Sequence, residues 1–432
     1  MTKYLHIEDV QKEGMIGKEV ALRGWAYRTR GSSSMRFVIL RDSTGIIQCT
    51  TIQKEVDEKT WKSAEKLYVE SSFTVKGIVR KDDRAPGGYE LTVKELEPIC
   101  IGEPFPISKD LSQEFLLDIR HLSLRSRKLT AVMKVRSAVF GAIHEYFRKQ
   151  EFYEMHSPIL LGGVAESGPD LFEVDYFGKK VFLTQTWQLY AEAMMASLEK
   201  IYTITPAFRA EKSRTIRHLA EYWTAEAEAA WYDLDDCIEL SEKLIEYVCI
   251  KIAKDCKKEL KELGRDPKDL EKIKTPFPRI TYTEALKKLE KEGMKVEWGK
   301  DLRTLEERKI MEHYDKPLIV THYPKDIMAF YKPKDPKDPK VALCYDMLCP
   351  ELGIEIIGGS ERELDIKELE KALIKAKEDP KEYKFYFDTR KYGAVPHSGF
   401  GLGIERIIMW ICKLDDIKDA IPFPRTMTRI KP

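Results

Sequence analysis

The first hundred residues carry a strand pattern that few small folds satisfy. Five short stretches, each rich in β-branched and aromatic residues, occupy residues 20–27, 36–41, 45–51, 73–79 and 89–96. One helical stretch, at about 54–68, falls between the third and the fourth of them. Five strands with a helix in that gap have the chain order of an OB-fold barrel. The pattern therefore predicts an OB-fold, with a small β-barrel of another kind as the alternative.

The chain changes character after this region. A proline-rich, non-periodic segment at 98–106 predicts a linker. Apolar residues then recur at positions 129, 132, 135, 139, 143 and 147, a spacing typical of an amphipathic helix. We therefore predict a first domain over 1–100, a linker over 101–125 and a larger domain over 126–432.

Residues from about 250 to 340 differ from the rest of the larger domain. This stretch is rich in Lys and Glu, and Thr281 followed by Glu284 forms a capping box that predicts the start of a helix. The stretch closes with a run of Lys, Pro and Asp at 332–340, which has no potential to form a core. We predict that 250–340 is an insertion carried by the larger domain.

Composition narrows the class of protein. Charged residues make up 34% of the 432 and hydrophobic residues 43%, as in a soluble globular protein. No apolar run approaches the roughly 20 residues of a membrane span, and the N-terminus lacks the apolar stretch of a secretory signal. The eight cysteines include no CxxC pair, which favours reduced thiols over metal ligands. We therefore expect a cytoplasmic protein; its net charge of +1 leaves a local nucleic-acid site open.

Basic and aromatic residues cluster between 208 and 228. Arg209 lies on a predicted strand, and Arg214, Arg217 and His218 occupy the segment that follows. Cationic side chains that converge in this way donate hydrogen bonds to phosphates. Tyr222 adds a ring on which a purine can stack. The block therefore predicts a site for a nucleotide.

A second block, near the C-terminus, completes that site. Arg406 ends the run Gly401-Leu-Gly-Ile-Glu-Arg, and its flat cation suits the purine face opposite the tyrosine. The carboxylates of Glu228 and Glu355 suit a Mg²⁺ ion that bridges phosphates. Because the chain has no GxxxxGK[ST] loop, these residues predict ATP bound without a Walker A motif.

Together with the helix at 129–147 that leads to Pro158, these blocks resemble motifs 1, 2 and 3 of the class II aminoacyl-tRNA synthetases. The N-terminal barrel is similar to that of the aspartyl, asparaginyl and lysyl subgroup, in an archaeal-like form. The resemblance covers essentially the whole chain. It implies an α+β fold, in which an anticodon-binding OB-fold β-barrel precedes a catalytic domain with a six- or seven-stranded antiparallel β-sheet flanked by helices. It also implies a homodimer formed through motif 1.

The resemblance assigns roles in the ATP site. The ATP-binding residues that it implies are Arg209, Glu211, Arg217, His218, Tyr222 and Arg406. Arg209 would contact the α-phosphate, and Arg406 would reach the γ-phosphate side and cover the adenine. These two arginines are therefore the expected catalytic residues.

The resemblance also implies a Mg²⁺ site. Glu355 would be its principal ligand, with Asp346 in support and Glu228 as a further carboxylate. Gly358 stands where aspartyl members have a serine ligand. The number of protein ligands on that ion is therefore open.

The amino-acid site resembles one for asparagine. Glu166 and Gln188 are similar to the groups that bind the substrate ammonium, and Arg362 to the arginine that grips the side-chain oxygen. Aspartyl members have a lysine where Ala191 stands and Asp where Glu226 stands. An uncharged carboxamide needs no lysine and donates to Glu226, whereas a carboxylate facing Glu226 would be repelled. The resemblance therefore favours asparagine.

Two residues depart from the family pattern beside this site. Trp187 fills a position that is usually small, and it either packs beneath the site or narrows the pocket. Glu361 stands where glutamine is expected, next to Arg362, and a pair between them would weaken the grip of the arginine. Both departures bear on substrate preference.

In the barrel, Arg28, Phe37 and Gln48 stand where relatives stack and read anticodon bases. Stacking on an aromatic ring, together with hydrogen bonds to base edges, is how single-stranded loops are recognised. The alternative for Phe37 is a place in the barrel core.

These inferences together predict the activation of L-asparagine with ATP and Mg²⁺, followed by transfer to the terminal ribose of tRNA(Asn), class II members generally using the 3′-hydroxyl. Catalysis of this kind rests on positioning and charge stabilisation. One alternative is an aspartate-using relative, either a non-discriminating aspartyl-tRNA ligase or an asparagine synthetase-like enzyme. The other is a catalytically silent paralogue that binds RNA.

Overall fold

The structure, a computed structural model, describes residues 2–107, 111–162, 171–212 and 215–432. The chain divides into two units, Met1–Leu116 and Leu117–Pro432. The five predicted strands all lie within the first unit. The boundaries of the predicted linker, 101–125, stay a prediction.

The elements of the first unit follow one another along the chain. They are α1 (Ile7–Val10), β1 (Glu19–Gly31), β2 (Met35–Arg41), β3 (Ile46–Ile52), α2 (Glu58–Lys66), β4 (Ser72–Lys81), β5 (Tyr89–Cys100) and α3 (Gln113–Asp118), which reaches the boundary.

The five strands close into a barrel in the order β1-β2-β3-β5-β4. The β3–β5 pair is parallel and the other pairs are antiparallel. Burial alternates along β4 and places Phe73, Val75 and Val79 inside the barrel. Helix α2 falls between β3 and β4, and the Asp57 carboxylate caps it by accepting from the Thr60 amide. The predicted OB-fold is confirmed.

The second unit is larger and mixes helices with strands. Its elements are α4 (Arg120–Ser123), α5 (Arg127–Lys149), β6 (Tyr153–Glu154), β7 (Leu160–Leu161), β8 (Glu173–Tyr176), β9 (Lys179–Leu183), α6 (Gln188–Leu198), β10 (Lys200–Phe208), β11 (Glu221–Ala230), α7 (Leu234–Asp255), α8 (Lys257–Glu262), α9 (Pro267–Glu271), β12 (Arg279–Thr281), α10 (Tyr282–Lys291), α11 (Thr304–Met311), β13 (Leu318–Thr321), β14 (Cys344–Cys349), β15 (Ile354–Glu361), α12 (Ile366–Lys375), α13 (Lys384–Lys391), β16 (His397–Gly403) and α14 (Ile404–Ile411).

The main sheet of this unit has eight strands in the order β12-β13-β14-β15-β16-β11-β10-β6. Its interior is antiparallel, as predicted, but a parallel pair closes each edge, β12 with β13 and β6 with β10. The expectation of six or seven antiparallel strands was therefore too narrow. The edge strands β6 and β12 are only two and three residues long, too short to produce a periodic signal in the sequence.

The stretch from 250 to 340 extends this sheet. Its strands β12 and β13 form one edge, and its residues Tyr282, Leu289 and Tyr323 belong to a separate buried cluster that also includes residues of β14. The capping box predicted at Thr281 and Glu284 is present at the start of α10. The segment predicted as an insertion is thus continuous with the catalytic sheet.

Helix α5 confirms the amphipathic pattern read from the sequence. Its buried face, which includes Val132, Val139 and Phe147, joins the largest buried cluster together with residues of α7 and of the main sheet. The Ser126 side chain caps it by accepting from the Leu129 amide. Helix α5 therefore anchors the second unit's core.

The eight cysteines are free thiols, and all but Cys100 are buried. Burial raises the pKa of the Cys49 thiol to about 12, which keeps it protonated and unreactive at neutral pH. Across the described ranges, no helix is both long and apolar enough to cross a membrane.

Candidate active site

A cavity of about 240 Å³ in the second unit gathers the residues singled out in the sequence. Glu166 and Arg214 lie outside the described residues. The other predicted site residues of this unit all line the cavity, namely Gln188, Arg209, Glu211, Arg217, His218, Tyr222, Glu226, Glu228, Asp346, Glu355, Arg362 and Arg406.

Strand β11 supplies the floor of the cavity. Because side chains alternate along a strand, Tyr222, Glu226 and Glu228 all reach the cavity from one face. Across the β11–β16 pairing, Glu226 lies opposite Gly401 and Glu228 opposite Gly399. A Cβ atom at Gly399 would lie 2.0 Å from the Glu228 carboxylate. Glycine is therefore required beside that carboxylate.

The residues predicted to bind the nucleotide, which we call the nucleotide end of the cavity, include two arginines in different settings. The Arg209 guanidinium lies 5.7 Å from the centre of the Tyr222 ring and 3.6 Å from the Glu211 carboxylate. Arg406 donates to the carboxylate of Glu355 at 3.1 Å and to its carbonyl oxygen at 2.9 Å. Cations, an aromatic face and carboxylates thus converge as the sequence predicted.

Arg217 has a partner that sequence reasoning missed. Its guanidinium donates to the Glu307 carboxylate on α11 at 2.7 Å. Burial raises the pKa of Glu307 to about 7, although Arg217 opposes the rise. Glu307 lies in the 250–340 stretch, outside any recognised motif, so no local pattern pointed to it.

His218 lies beside the same arginines. Its ring accepts or donates a short hydrogen bond with the Thr215 hydroxyl. Burial, followed by the positive charge of Arg406, lowers the pKa of His218. Its imidazole is therefore mainly neutral at pH 7 before any phosphate arrives.

Two carboxylates converge on Gly358. The position of a Cβ atom at this glycine is 2.9 Å from a Glu355 carboxylate oxygen and 3.5 Å from one of Asp346. Burial, and then the charge of Glu355, raises the pKa of Asp346 well above its ordinary value. Burial opposes ionisation of Glu355 as well, but Arg406 and Arg209 outweigh it and lower that pKa. A pair of crowded carboxylates of this kind fits a divalent cation.

At the end of the cavity that holds the predicted amino-acid-binding residues, the amino-acid end, Arg362 and Glu228 form a buried bidentate pair. Two guanidinium nitrogens donate to the two carboxylate oxygens, each at 2.9 Å, and the third donates to the Ser360 hydroxyl at 2.8 Å. The Arg362 guanidinium also lies 5.3 Å from the centre of the Tyr331 ring. Glu228, predicted as a metal ligand, is thus bonded to an arginine in this structure, and its metal role stays a prediction.

Glu226 is held by the segment before α6. It accepts from the Thr186 hydroxyl at 2.7 Å and from the Trp187 amide at 3.2 Å. The Trp187 side chain is almost fully buried in an apolar cluster with Ala191 and Met195. Trp187 also lines the cavity, so both alternatives, packing beneath the site and narrowing the pocket, stay predictions.

The expected pair between Glu361 and Arg362 is not formed. The Glu361 carboxylate accepts from the Leu234 amide at the start of α7, at 3.0 Å. This bond engages the Glu361 carboxylate with the start of α7 rather than with Arg362. The grip of Arg362 is not weakened by this neighbour.

Behind the cavity lies a buried carboxylate, Glu192, that the sequence did not reveal. It accepts from Gln188 Nε2 at 2.9 Å and from the Tyr386 hydroxyl at 2.8 Å. Arg390 donates to it as well, and His397 Nε2 lies 3.1 Å away. Its partners are up to 205 residues distant in the chain, and no local pattern joins them.

In the first unit, the barrel carries the predicted anticodon residues. Phe37 is half-buried and lies outside the barrel core, and Arg28 is exposed. Gln48 accepts from Arg30 at 3.2 Å and donates to Glu90 at 3.1 Å. The Arg30 guanidinium lies 4.9 Å from the centre of the Phe37 ring. This placement favours a surface role for Phe37 over a core role.

Two family models match the chain. The class II tRNA synthetases for D, K and N match residues 112–427, and an OB-fold nucleic-acid-binding domain matches residues 20–99. These ranges correspond to the two units of the structure.

Relatives match over the full length. An asparagine–tRNA ligase of Thermoplasma acidophilum is 46% identical over 99% of this chain and 100% of its own. The crystal structure of asparaginyl-tRNA synthetase from Pyrococcus horikoshii complexed with asparaginyl-adenylate is 45% identical, with a TM-score of 0.96 and full coverage of both chains. The Entamoeba histolytica asparaginyl-tRNA synthetase is 31% identical, with a TM-score of 0.90 and full coverage. The chain therefore belongs to the class II aminoacyl-tRNA synthetases, and within them to the asparaginyl-tRNA synthetases.

Proposed function

We propose that this chain ligates L-asparagine to tRNA(Asn) at the expense of ATP. The observation that carries the proposal is the buried pair of Arg362 and Glu228, which lines the cavity together with Glu226. A guanidinium donates to a carboxamide oxygen, and a carboxylate accepts from a carboxamide nitrogen. A carboxylate substrate would meet the carboxylates of Glu228 and Glu226, and alanine rather than lysine stands at position 191.

The reaction has two steps. In the first, a carboxylate oxygen of asparagine attacks the α-phosphorus of ATP, and pyrophosphate leaves with the electrons of the broken P–O bond. In the second, the terminal 3′-hydroxyl of the tRNA attacks the carbonyl carbon of the adenylate, loses its proton and displaces AMP. Neither step needs a covalent bond to the protein, so the residues act by positioning and by charge.

The nucleotide-end residues provide that charge. Arg209 contacts the α-phosphate, where negative charge moves during attack, and Tyr222 stacks on the adenine opposite Arg406. Glu211, Arg217 and His218 complete the nucleotide site. Arg217 leaves Glu307 to reach the outer phosphates. All of these groups line one cavity, which supports this assignment.

Asp346 and Glu355 would hold a Mg²⁺ ion. Their carboxylate oxygens converge on the position left open by Gly358, and carboxylates together with phosphate oxygens are the ligands that Mg²⁺ prefers. When bound, the ion neutralises phosphate charge. Glu228 is the weaker candidate as a ligand, because both of its oxygens already accept from Arg362.

The amino-acid site is completed by the ammonium-binding groups. Gln188 lines the cavity, and Glu166, which lies outside the described residues, is its predicted companion. Glu226 faces the same cavity with its carboxylate fixed by Thr186 and Trp187.

The barrel would read the anticodon. Phe37 supplies a half-exposed ring for stacking, and Arg28 is exposed for the backbone or a base. Gln48 carries a donor and an acceptor of the kind that a base edge needs, although it is buried and its amide is bonded to Arg30 and Glu90. The first unit would act as the anticodon-binding domain, within the predicted bounds 1–100.

The same assignment includes a homodimer formed through motif 1, in the cytoplasm. The segment after α5 leaves Tyr153, Ile159 and Leu160 exposed, between 40% and 58%, and a second copy would cover these side chains. Light scattering coupled to gel filtration tests this, with twice the mass of 50.2 kDa expected. Free thiols throughout suit a reducing compartment.

One experiment separates the candidate functions. ATP–pyrophosphate exchange is measured with asparagine, aspartate and lysine in parallel, and we expect exchange with asparagine above either of the others. Equal exchange with aspartate would favour the aspartate-using alternative. No exchange with any of the three would favour the silent RNA-binding paralogue.

A further inference from the structure

Glu192 is the most enclosed charge of the second unit that the proposed reaction does not use. It lies on α6, four residues after Gln188, with 1% of its surface exposed. It does not line the cavity, whereas Gln188 does. A buried carboxylate is retained only when donors surround it, so each of its partners is informative.

The donors divide between the two carboxylate oxygens. Oε1 accepts from Gln188 Nε2 at 2.9 Å and lies 3.9 Å from Nε of Arg362. Oε2 accepts from Arg390, and the Tyr386 hydroxyl reaches both oxygens, at 3.0 Å and 2.8 Å. His397 Nε2 lies 3.1 Å from Oε2, while its Nδ1 lies 2.7 Å from the Val395 carbonyl oxygen. Burial opposes ionisation, but Arg390 and then His397 hold the pKa of Glu192 below its ordinary value. An ionised carboxylate offers only acceptors.

This arrangement fixes which way the Gln188 amide points. Its nitrogen must face Glu192, because two acceptors cannot share a hydrogen bond. Its oxygen is therefore turned away from Glu192, on the other side of the amide. An amide oxygen is the group that accepts from an ammonium, whereas an amide nitrogen would repel it.

We propose that Glu192 is a positioning residue for the amino-acid substrate, which turns the amide oxygen of Gln188 towards the substrate's α-ammonium group. The inference rests on the proposed function, since it takes Gln188 as an ammonium-binding residue. Tyr386, Arg390 and His397 hold the carboxylate in place and do not touch the substrate.

A cation site is the other use for such a cluster. Ligand atoms of Glu192, Glu228 and His397 lie within 4.8 Å of one another. However, Arg390 donates to one of these carboxylates and Arg362 to the other. Each of the two carboxylates thus already has a guanidinium group on it, which repels a metal ion, so the geometry favours positioning.

Glu192→Gln tests the proposal because it reverses the amide. Arg390 and His397 require an acceptor at Oε2, so the new amide presents its nitrogen to Gln188, whose amide then flips and turns its own nitrogen to the substrate. We expect the KM for asparagine in pyrophosphate exchange to rise by about 10- to 150-fold, the loss of one charged hydrogen bond, with a smaller change in kcat.

A substrate analogue separates positioning from damage to the pocket. Succinamic acid is asparagine without its α-amino group, so its inhibition constant should stay within about twofold of the wild-type value. Equal weakening of asparagine and succinamic acid would overturn the proposal, as would an unchanged KM in folded Glu192→Gln.

Two further variants complete the test. The double variant with Glu192→Gln and Gln188→Glu restores a donor at residue 192 that faces an acceptor at residue 188. An oxygen of residue 188 again faces the substrate ammonium, so the KM for asparagine should return most of the way to the wild-type value. If Glu192→Gln does not fold, the double variant alone tests the proposal. A double variant that binds asparagine no more tightly than succinamic acid would overturn the proposal. Glu242→Gln, another buried carboxylate paired with an arginine, Arg279 at 2.9 Å, should leave both constants unchanged.

Asparagine use by the wild type separates failure of this proposal from failure of the proposed function. Failure of the wild type to use asparagine would remove the proposed function. Wild-type use of asparagine with a Glu192→Gln KM that does not move would remove only the role of Glu192.

Discussion

The two ends of the cavity are built in different ways. At the end assigned to the amino acid, Arg362 and Glu228 are buried and bonded to each other, and Glu192 is buried behind the cavity and bonded to Gln188. At the end assigned to the nucleotide, Arg209 and Glu211 keep 42% and 32% of their side chains exposed. Buried charges need partners, whereas water solvates exposed charges. Under the proposed function, we infer that the selection of the amino acid is preset, while the nucleotide end takes its complementary charge from ATP.

The largest effect is expected from Arg362→Ala. The substitution leaves Glu228 buried without its guanidinium, which typically costs about 3–5 kcal/mol. We predict a clear fall in thermal stability together with loss of asparagine-dependent exchange, measured by calorimetry and by the exchange assay. An Arg362→Ala variant as stable as the wild type would contradict the proposed difference between the buried amino-acid end of the cavity and its exposed nucleotide end.

Arg209→Ala is the matching change at the nucleotide end. Loss of one transition-state donor lowers adenylate formation by about 10²–10³-fold, whereas a half-exposed side chain changes stability by only about 0.5 kcal/mol. Exchange rates and thermal unfolding of the same preparation check both parts. Near wild-type exchange would remove the assignment of Arg209 to the α-phosphate.

Phe37→Ala, in the barrel, changes neither end of the cavity and therefore tests tRNA recognition alone. Removing a base–aromatic stack costs about 1–3 kcal/mol, so use of tRNA should weaken by about 5- to 150-fold. Exchange without tRNA should stay nearly unchanged, because Phe37 belongs to the other unit. Should circular dichroism show an unfolded barrel instead, Phe37 has a core role.

The smallest effect concerns pH and Glu307. Burial raises the pKa of this carboxyl to about 7 from an ordinary 4.5, so between these values the folded protein binds more protons than the unfolded chain. The protonated Glu307 carboxyl therefore adds to the free energy of unfolding at low pH, and this contribution is lost as the pH rises through 7. We predict that, from pH 5.5 to pH 8, the wild type loses up to about 2 kcal/mol relative to Glu307→Gln, in denaturant unfolding at both pH values. A constant difference would show that Glu307 stays ionised in the folded protein.

Local sequence patterns predicted most of the fold. The five strands with a helix after the third predicted the barrel, and the spacing of apolar residues predicted α5, because both signals extend over many neighbouring residues. The short strands β6 and β12 gave no such signal, and they pair in parallel with strands distant in the sequence. Edge pairs of this length are set by tertiary contacts.

The residues of the candidate site also differ in whether a local sequence pattern predicts them. Arg209, Tyr222 and Arg406 stand in motifs that can be read directly, and all three line the cavity. Glu192 and Glu307 do not, since each is recognised only by an arginine on a remote element, Arg390 and Arg217 respectively. Residues proposed to touch the substrate thus carry a signature in the sequence, whereas residues proposed to hold them in place are revealed only by packing.

The preset pocket is tested most directly by the amino acid that ends up on the tRNA. Wild-type protein is given tRNA(Asn), ATP, Mg²⁺ and equal concentrations of asparagine and aspartate, and the esterified amino acid is identified by mass spectrometry. We predict asparaginyl-tRNA as the dominant product, because the Arg362–Glu228 pair accommodates a carboxamide and nearby carboxylates repel a charged side chain. Aspartyl-tRNA in equal or greater amount would contradict a pocket preset for asparagine.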